Sequence, residues 1–217
     1  MGYFITFEGV EGCGKTTQIR LLADRLKAGG HQVITTREPG GCPVADQIRS
    51  ILLDAGNTSM VPLCELLLYS AARAQHISDV VHPALERGDI VLCDRFTDAT
   101  IAYQSGGRGI DRGIITGLND LACQEVSPDL TILLDCDTSM GLTRARQRIE
   151  QHTGPREERF ELETIAFHER VRRSYHQQAA NHPERICIVS AEGSIDEVAA
   201  RIFQAVQSRI PEPFRAV

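Results

Sequence analysis

Residues Gly9, Val10, Glu11, Gly12, Cys13, Gly14, Lys15 and Thr16 follow the spacing G-x-x-x-x-G-K-[ST], a pattern whose chemistry is the cradling of phosphates. Glycines at these positions let successive backbone N–H groups turn inward around an anion, and a helix starting near Lys15 adds its positive N-terminal end. Lys15 then reaches the β and γ phosphates of a nucleoside triphosphate, and the Thr16 hydroxyl ligates Mg2+. Cys13 reads as a small filler rather than a reactive thiol.

Switches, motors, hydrolases and kinases share such a loop, so the other strand ends must decide between them. Ile90-Val91-Leu92-Cys93-Asp94-Arg95 is an apolar run closed by an aspartate, which places Asp94 beside the metal shell. Arg95 stands where many hydrolases of this type carry a glutamate that polarises water. An arginine cannot be that base and points instead to an anionic acceptor; the plainer alternative is that it pairs with Asp94. A second arginine, Arg37, lies in Thr35-Thr36-Arg37-Glu38-Pro39-Gly40-Gly41, a rigid turn at another strand end. An alcohol acceptor would need a carboxylate to take its proton. A phosphate monoester, with a second pKa of about 6, is already mostly a dianion at pH 7 and needs clamping. The two arginines fit the phosphate acceptor better, and the absence of an N-K-x-D motif weakens a guanine-specific reading.

These residues need a scaffold that brings strand ends together. Short apolar runs at Tyr3 to Phe7, Gln32 to Thr36, Ile90 to Cys93, Leu130 to Leu134 and Ile186 to Val189 alternate with stretches of helical period. Strands separated by helices predict an α/β fold with a five-stranded parallel sheet flanked by helices, its ligands at the carboxyl ends of the strands. Ile19, Leu22, Ala23 and Leu26 mark the buried stripe of the first helix, which Gly29-Gly30 ends. No repeat or linker divides the chain, so residues 1–217 are read as one P-loop domain. Val61 to Ala74 is apolar around much of a helix, which means deep burial or a subunit interface, with burial preferred. Arg144 to Arg173 holds eight arginines around Gly154-Pro155, either a mobile arginine-rich lid or a solvated helical hairpin laced with Glu-Arg pairs.

Composition sets the outer limits. The net charge of −6 leaves no field for nonspecific nucleic-acid binding. All but Lys15 and Lys27 of the 23 basic residues are arginine, the side chain suited to bidentate phosphate contacts. Seven cysteines are scattered, with no C-x-x-C pair, which argues against a disulfide framework or zinc site and for a reducing compartment. No apolar stretch approaches the roughly 20 residues of a membrane span, so the expectation is a cytoplasmic protein without membrane association.

Taken in order, the motifs resemble bacterial thymidylate kinases over essentially the whole chain. Beyond the P-loop the likeness rests on Phe7-Glu8-Gly9, Thr36 to Gly41, Ala71-Ala72-Arg73, Asp94-Arg95-Phe96, Ala102-Tyr103-Gln104, Gly106-Gly107-Arg108-Gly109, Pro128-Asp129-Leu130 and Phe167-His168-Glu169-Arg170-Val171. The resemblance implies transfer of the ATP γ-phosphoryl group to dTMP, giving dTDP and ADP, by a Mg2+-dependent homodimer. By position it implies that Arg95 and Arg37 hold the acceptor phosphate and that Tyr69 stacks on thymine. Arg73 would bond a thymine carbonyl, Tyr103 and Gln104 would line the base and sugar pocket, and Glu11 would contact the sugar 3′-hydroxyl. The loop carries no arginine, so the catalytic arginine falls to the lid, approximately 144–160, with Arg148 chosen among Arg144, Arg146, Arg156 and Arg159. Glu158 stands where the family usually has aspartate, and Ala99 where it often has serine.

Two other readings compete. A deoxynucleoside kinase would use Glu38 or Glu11 as the base for an alcohol, and an ATP-driven switch would bind a protein partner through the Val61 to Ala74 helix and need no phosphoryl acceptor.

Overall fold

The computed structural model describes residues 2–150 and 159–211, apart from the side chain of Arg148. Arg148 as an acting side chain, Arg156, Glu158 and the rest of the central part of the expected lid, 151–158, therefore lie outside the described residues. Five strands, β1 (Tyr3–Glu8), β2 (Val33–Arg37), β3 (Ile90–Asp94), β4 (Leu130–Asp135) and β5 (Ile186–Ser190), form one parallel sheet in the order β2-β3-β1-β4-β5. All six β1 residues are buried, and so are the first four of β3 and the first five of β4. Strands covered on both faces read as continuous apolar runs rather than alternating ones. The strand boundaries lie within a residue or so of those the sequence predicts.

The chain leaves β1, reaches the edge at β2, returns to β3 beside β1, and then crosses to β4 and β5 on the other side. Its reversal point is β1, and a crevice opens there at the carboxyl ends of the strands. Parallel register pairs Phe7 with Asp94 and Arg37 with Asp94. Three strand ends thus deliver the phosphate loop, Asp94 and Arg37 to one place.

Helix α1 (Lys15–Ala28) buries Ile19, Leu22, Ala23 and Leu26, the stripe read from the sequence. Helices α2 (Pro43–Leu53) and α3 (Pro62–His76) both begin with proline in the first turn, where its missing N–H costs nothing. Beyond α3 the chain continues as a π-helical stretch, Ile77–Val81, and α4 (His82–Glu86). After β3 come α5 (Thr97–Thr100), a second π-helical stretch, Ile101–Gly107, and α6 (Arg112–Cys123). Helices α7 (Thr138–Glu150) and α8 (Ile165–Asn181) flank the arginine-rich segment, and α9 (Ile195–Arg209) closes the fold behind a Ser194–Glu197 capping box, a pair that satisfies two orphan N–H groups.

Helix α3 departs from the burial expected of it. Its inward face is largely polar, with Glu65, Ser70, Arg73 and His76 buried beside Leu66 and Ala72, while Leu63 and Leu67 are 55% and 48% exposed. The inward face backs onto the cleft and serves it with hydrogen-bonding groups. Leu63 and Leu67 are exposed on α3, and Ile114 and Leu121 are exposed on α6, which packs against it.

Candidate active site

The crevice is a cavity of about 1280 Å3 running from the phosphate loop to the inner face of α3. That exceeds the roughly 300–1,000 Å3 of a pocket for one small ligand and suits two nucleotides side by side. Glu11, Gly12, Gly14, Lys15 and Thr16 line one part, and Tyr69, Arg73, Tyr103 and Gln104 line another, with Arg37, Asp94 and Arg95 between. Gly9, Val10 and Cys13 belong to the loop but not to the lining; the Val10 and Cys13 side chains sit in the core beneath it.

Gly9, Gly12 and Gly14 have φ of 135, 68 and 95°, values that L side chains resist and that let the loop close on itself. Helix α7 presses against this loop: a Cβ on Gly12 would lie 1.9 Å from the Gly141 carbonyl oxygen, and one on Gly141 would lie 2.4 Å from the Glu11 carbonyl oxygen. Lys15 Nζ donates to the Gly9 and Val10 carbonyls at 3.1 Å each, folded across the loop from which it can swing to a phosphate. The Thr16 hydroxyl donates to Asp94 Oδ2 at 2.9 Å. This pair offers two hard oxygens at the loop's mouth, a donor set that fits Mg2+ completed by water and substrate phosphate.

Arg95 adopts φ 70°, a left-handed conformation uncommon outside glycine and concentrated at functional sites. The twist turns its guanidinium away from Asp94. Nη1 donates to the Tyr175 hydroxyl and Nη2 to Glu11 Oε1, both at 3.1 Å, and the group lies 4.8 Å from the Tyr103 ring centre. The pairing with Asp94 weighed from sequence is not formed; Arg95 is held by groups from α8 and the phosphate loop. Arg37 is more than half exposed and pairs with Asp46 at 3.2 Å, so its guanidinium meets solvent at the cleft edge.

Glu11 accepts from Arg95 and from the Tyr103 hydroxyl, and His168 Nδ1 lies 2.9 Å from its other oxygen. Burial alone would raise its pKa, but His168, Arg95 and Tyr103 together outweigh burial and bring it to about 2. Glu8, at the end of β1, behaves oppositely. Its two oxygens accept from Phe96 N–H and from the Tyr175 hydroxyl at 2.7 Å each. Burial, and then the charge of Asp98, push its pKa up from 4.5 to about 7 against the pull of Arg95. A carboxyl whose folded pKa is raised favours the fold fully below its unfolded pKa and loses that contribution as pH climbs toward about 7. Glu8→Gln therefore flattens the fall of thermal stability between about pH 5 and pH 8, and melts across that range that keep the original slope would contradict this.

The far wall is a second buried network. Arg73, 2% exposed, donates to Glu38 Oε2, Asn119 Oδ1 and Thr100 Oγ1 at 2.8, 2.7 and 2.8 Å. Glu38 is also 2.9 Å from His76 Nδ1, whose Nε2 meets the Thr36 hydroxyl at 2.6 Å. Gln104 donates to Glu65 Oε1 at 2.8 Å, and Glu65 also receives Arg108 and lies 2.6 Å from Arg159 Nη2. Tyr69 lies near Phe160, ring centres 6.5 Å apart, leaving a flat aromatic face at the cavity wall. Glu65, Asn119, Phe160, His168 and Tyr175 were assigned no function from sequence. Phe160 and His168 stand in motifs that the resemblance rests on, Glu158-Arg159-Phe160-Glu161 and Phe167-His168-Glu169-Arg170-Val171, but neither motif names their partners.

The thymidylate kinase family profile matches residues 7–202. Thymidylate kinase of Trichlorobacter lovleyi is 63% identical over 210 residues, covering 97% of this chain and 99% of its own. That of Geobacter sulfurreducens is 54% identical over 211 residues, with coverage of 97% and 99%. The crystal structure of thymidylate kinase from Ehrlichia chaffeensis superposes with a TM-score of 0.77 at 33% identity, covering 95% of this chain and 99% of that one. A phosphate loop, an Asp-Arg strand end and an aromatic pocket in one cleft, together with this likeness along nearly the whole chain, establish that the protein belongs to the thymidylate kinase family.

Proposed function

We propose that the protein transfers the γ-phosphoryl group of ATP to dTMP, releasing dTDP and ADP. The observation that carries the choice of acceptor is the state of the cleft carboxylates. Glu11, at a pKa of about 2 and engaged by Arg95, Tyr103 and His168, is far too weak a base for an alcohol. Glu38 is occupied between Arg73 and His76. Arginines instead face the cavity beside Asp94, which suits an acceptor that arrives already anionic.

The chain's own groups then act by placement. Arg95 and Arg37 hold the acceptor phosphate, Tyr69 stacks on the pyrimidine, and Arg73 and Gln104 read its edge with the N–H donors their partners leave free. Lys15 leaves the loop carbonyls for the donor phosphates and neutralises charge that builds on the transferred group. Mg2+ held at Thr16 and Asp94 would screen the donor phosphates when bound. A lid over approximately 144–160, closing over the cleft and supplying Arg148, keeps water from competing with dTMP.

The exposed leucines and isoleucine of the neighbouring helices α3 and α6 suit a second copy of this chain, making a homodimer, since exposed apolar side chains grouped together mark association surfaces. All seven cysteines are free thiols, in keeping with work in the reducing cytoplasm. No helix among the described residues is long and apolar enough to cross a membrane.

The test is ADP release with Mg-ATP and each nucleoside monophosphate in turn, beside thymidine and a control without acceptor. Turnover is expected to be strongest with dTMP, with dTDP formed in equal amount. Activity with thymidine alone would give the nucleoside-kinase reading its place, and hydrolysis indifferent to acceptor would favour a switch.

A further inference from the structure

His168 does not line the cleft, and its side chain is 0% exposed. It sits in the first turn of α8 with both ring nitrogens facing oxygens that only accept. Nε2 lies 3.0 Å from the Phe160 carbonyl and Nδ1 2.9 Å from Glu11 Oε2. The imidazole therefore bridges the phosphate loop and the stretch leading out of the arginine-rich segment.

What it holds matters because of what Glu11 holds. The other Glu11 oxygen receives both Arg95 Nη2 and the Tyr103 hydroxyl. Arg95 and Tyr103 line the cavity, so substrate competes for them, whereas His168 approaches Glu11 from behind. Without it, one carboxylate oxygen is buried with no side chain facing it, and the carboxylate can rotate and carry the guanidinium with it. Phe160, fixed by the same ring, lies 5.4 Å from Tyr103 between ring centres and faces Tyr69.

We propose that His168 is a positioning residue for the acceptor side of the cleft: it fixes Glu11, Glu11 fixes Arg95 and Tyr103, and the acceptor nucleotide meets them already in place. This rests on the reading that Arg95 clamps the acceptor phosphate. The depressed pKa of Glu11 agrees with it, since His168 is the largest of the influences that lower it.

Asparagine and glutamine separate the two contacts. His168→Asn keeps an N–H near the Nδ1 position, toward Glu11, and His168→Gln keeps one near the Nε2 position, toward Phe160. His168→Gln is expected to raise the KM for dTMP about 10-fold, the scale of one lost polar contact to a buried carboxylate, with the KM for ATP unmoved. His168→Asn recovers most of that loss. In a Glu11→Gln background His168→Gln adds nothing further, because the two act as one unit. If glutamine prevents folding, His168→Met, which has no donor, replaces it in the same cycle.

Equal effects on both KM values, no rescue by asparagine, additivity with Glu11→Gln, or an unchanged KM for dTMP would each overturn the proposal. Arg95→Lys separates its failure from that of the reading beneath it. If Arg95→Lys raises the KM for dTMP and His168→Gln does not, the clamp stands and the positioning role falls; if Arg95→Lys leaves that KM alone, the clamp itself is wrong.

Discussion

Lys15→Ala is expected to lower kcat for transfer to dTMP by about 10³-fold, the upper end for removal of one preorganised charge donor, and to leave dTMP binding nearly unchanged. The reason lies in the resting position of the ammonium. It bonds the Gly9 and Val10 carbonyls, on the phosphate side of the cleft, and makes no contact with Arg73, Tyr103 or Gln104 on the acceptor side. Its charge is needed where the transferred group becomes most negative and is not needed to hold thymine. Single-turnover kinetics with saturating dTMP, beside calorimetric dTMP titration, make the comparison; a parallel loss of dTMP affinity would show that the lysine also serves the acceptor.

Arg95→Ala has the second large effect and a different signature. Here kcat/KM for dTMP falls by about 10³-fold and stability falls with it, by about 3 kcal/mol, the scale for removing one partner of a buried charge pair. The guanidinium is 19% exposed and joins Glu11 of the loop to Tyr175 of α8, so its removal leaves Glu11 to His168 and Tyr103 alone. Arg95→Lys keeps the charge but lacks the fork that reaches both partners. Arg95→Gly provides an internal control: at φ 70° glycine is unstrained, so this variant should melt above Arg95→Ala by the equivalent of about 1 kcal/mol. Thermal melts of the three variants beside dTMP kinetics decide the matter, and an Arg95→Ala enzyme that keeps its KM for dTMP would end the clamp argument.

The scaffold was legible because its physics is local. Strands buried on both faces write themselves as apolar runs, and Gly9 to Thr16 combine a strand exit, a glycine turn and a helix start in eight consecutive residues. Helix α3 was misjudged for a physical reason. Counting leucines assumes that the inside of a protein is apolar, but this helix backs onto a cleft that needs Glu65, Arg73 and His76, so that Leu66 is buried while Leu63 and Leu67 face outward. Arg95 and Asp94 are neighbours in sequence, yet a left-handed residue aims one side chain away from the other, and no composition rule announces φ 70° at an arginine. Tyr175 and His168 escaped because their partners, Glu8, Arg95 and Glu11, lie 80 or more residues away along the chain. The π-helical Ile101–Gly107, which brings Tyr103 and Gln104 to the cavity, likewise has no periodicity that distinguishes it from an ordinary helix.

The meeting of Gly12 with Gly141 bears on how this enzyme can change over generations. Most close contacts in a protein can be altered in pairs, one residue shrinking as its neighbour grows. Here the atom in the way is a backbone carbonyl on either side, and neither residue has anything left to give up. No second substitution can repair the first, so the two positions lie outside the reach of gradual drift. A library randomised at both and selected for growth on the enzyme's activity should return glycine twice, however freely the neighbouring Cys13 and Met140 are exchanged.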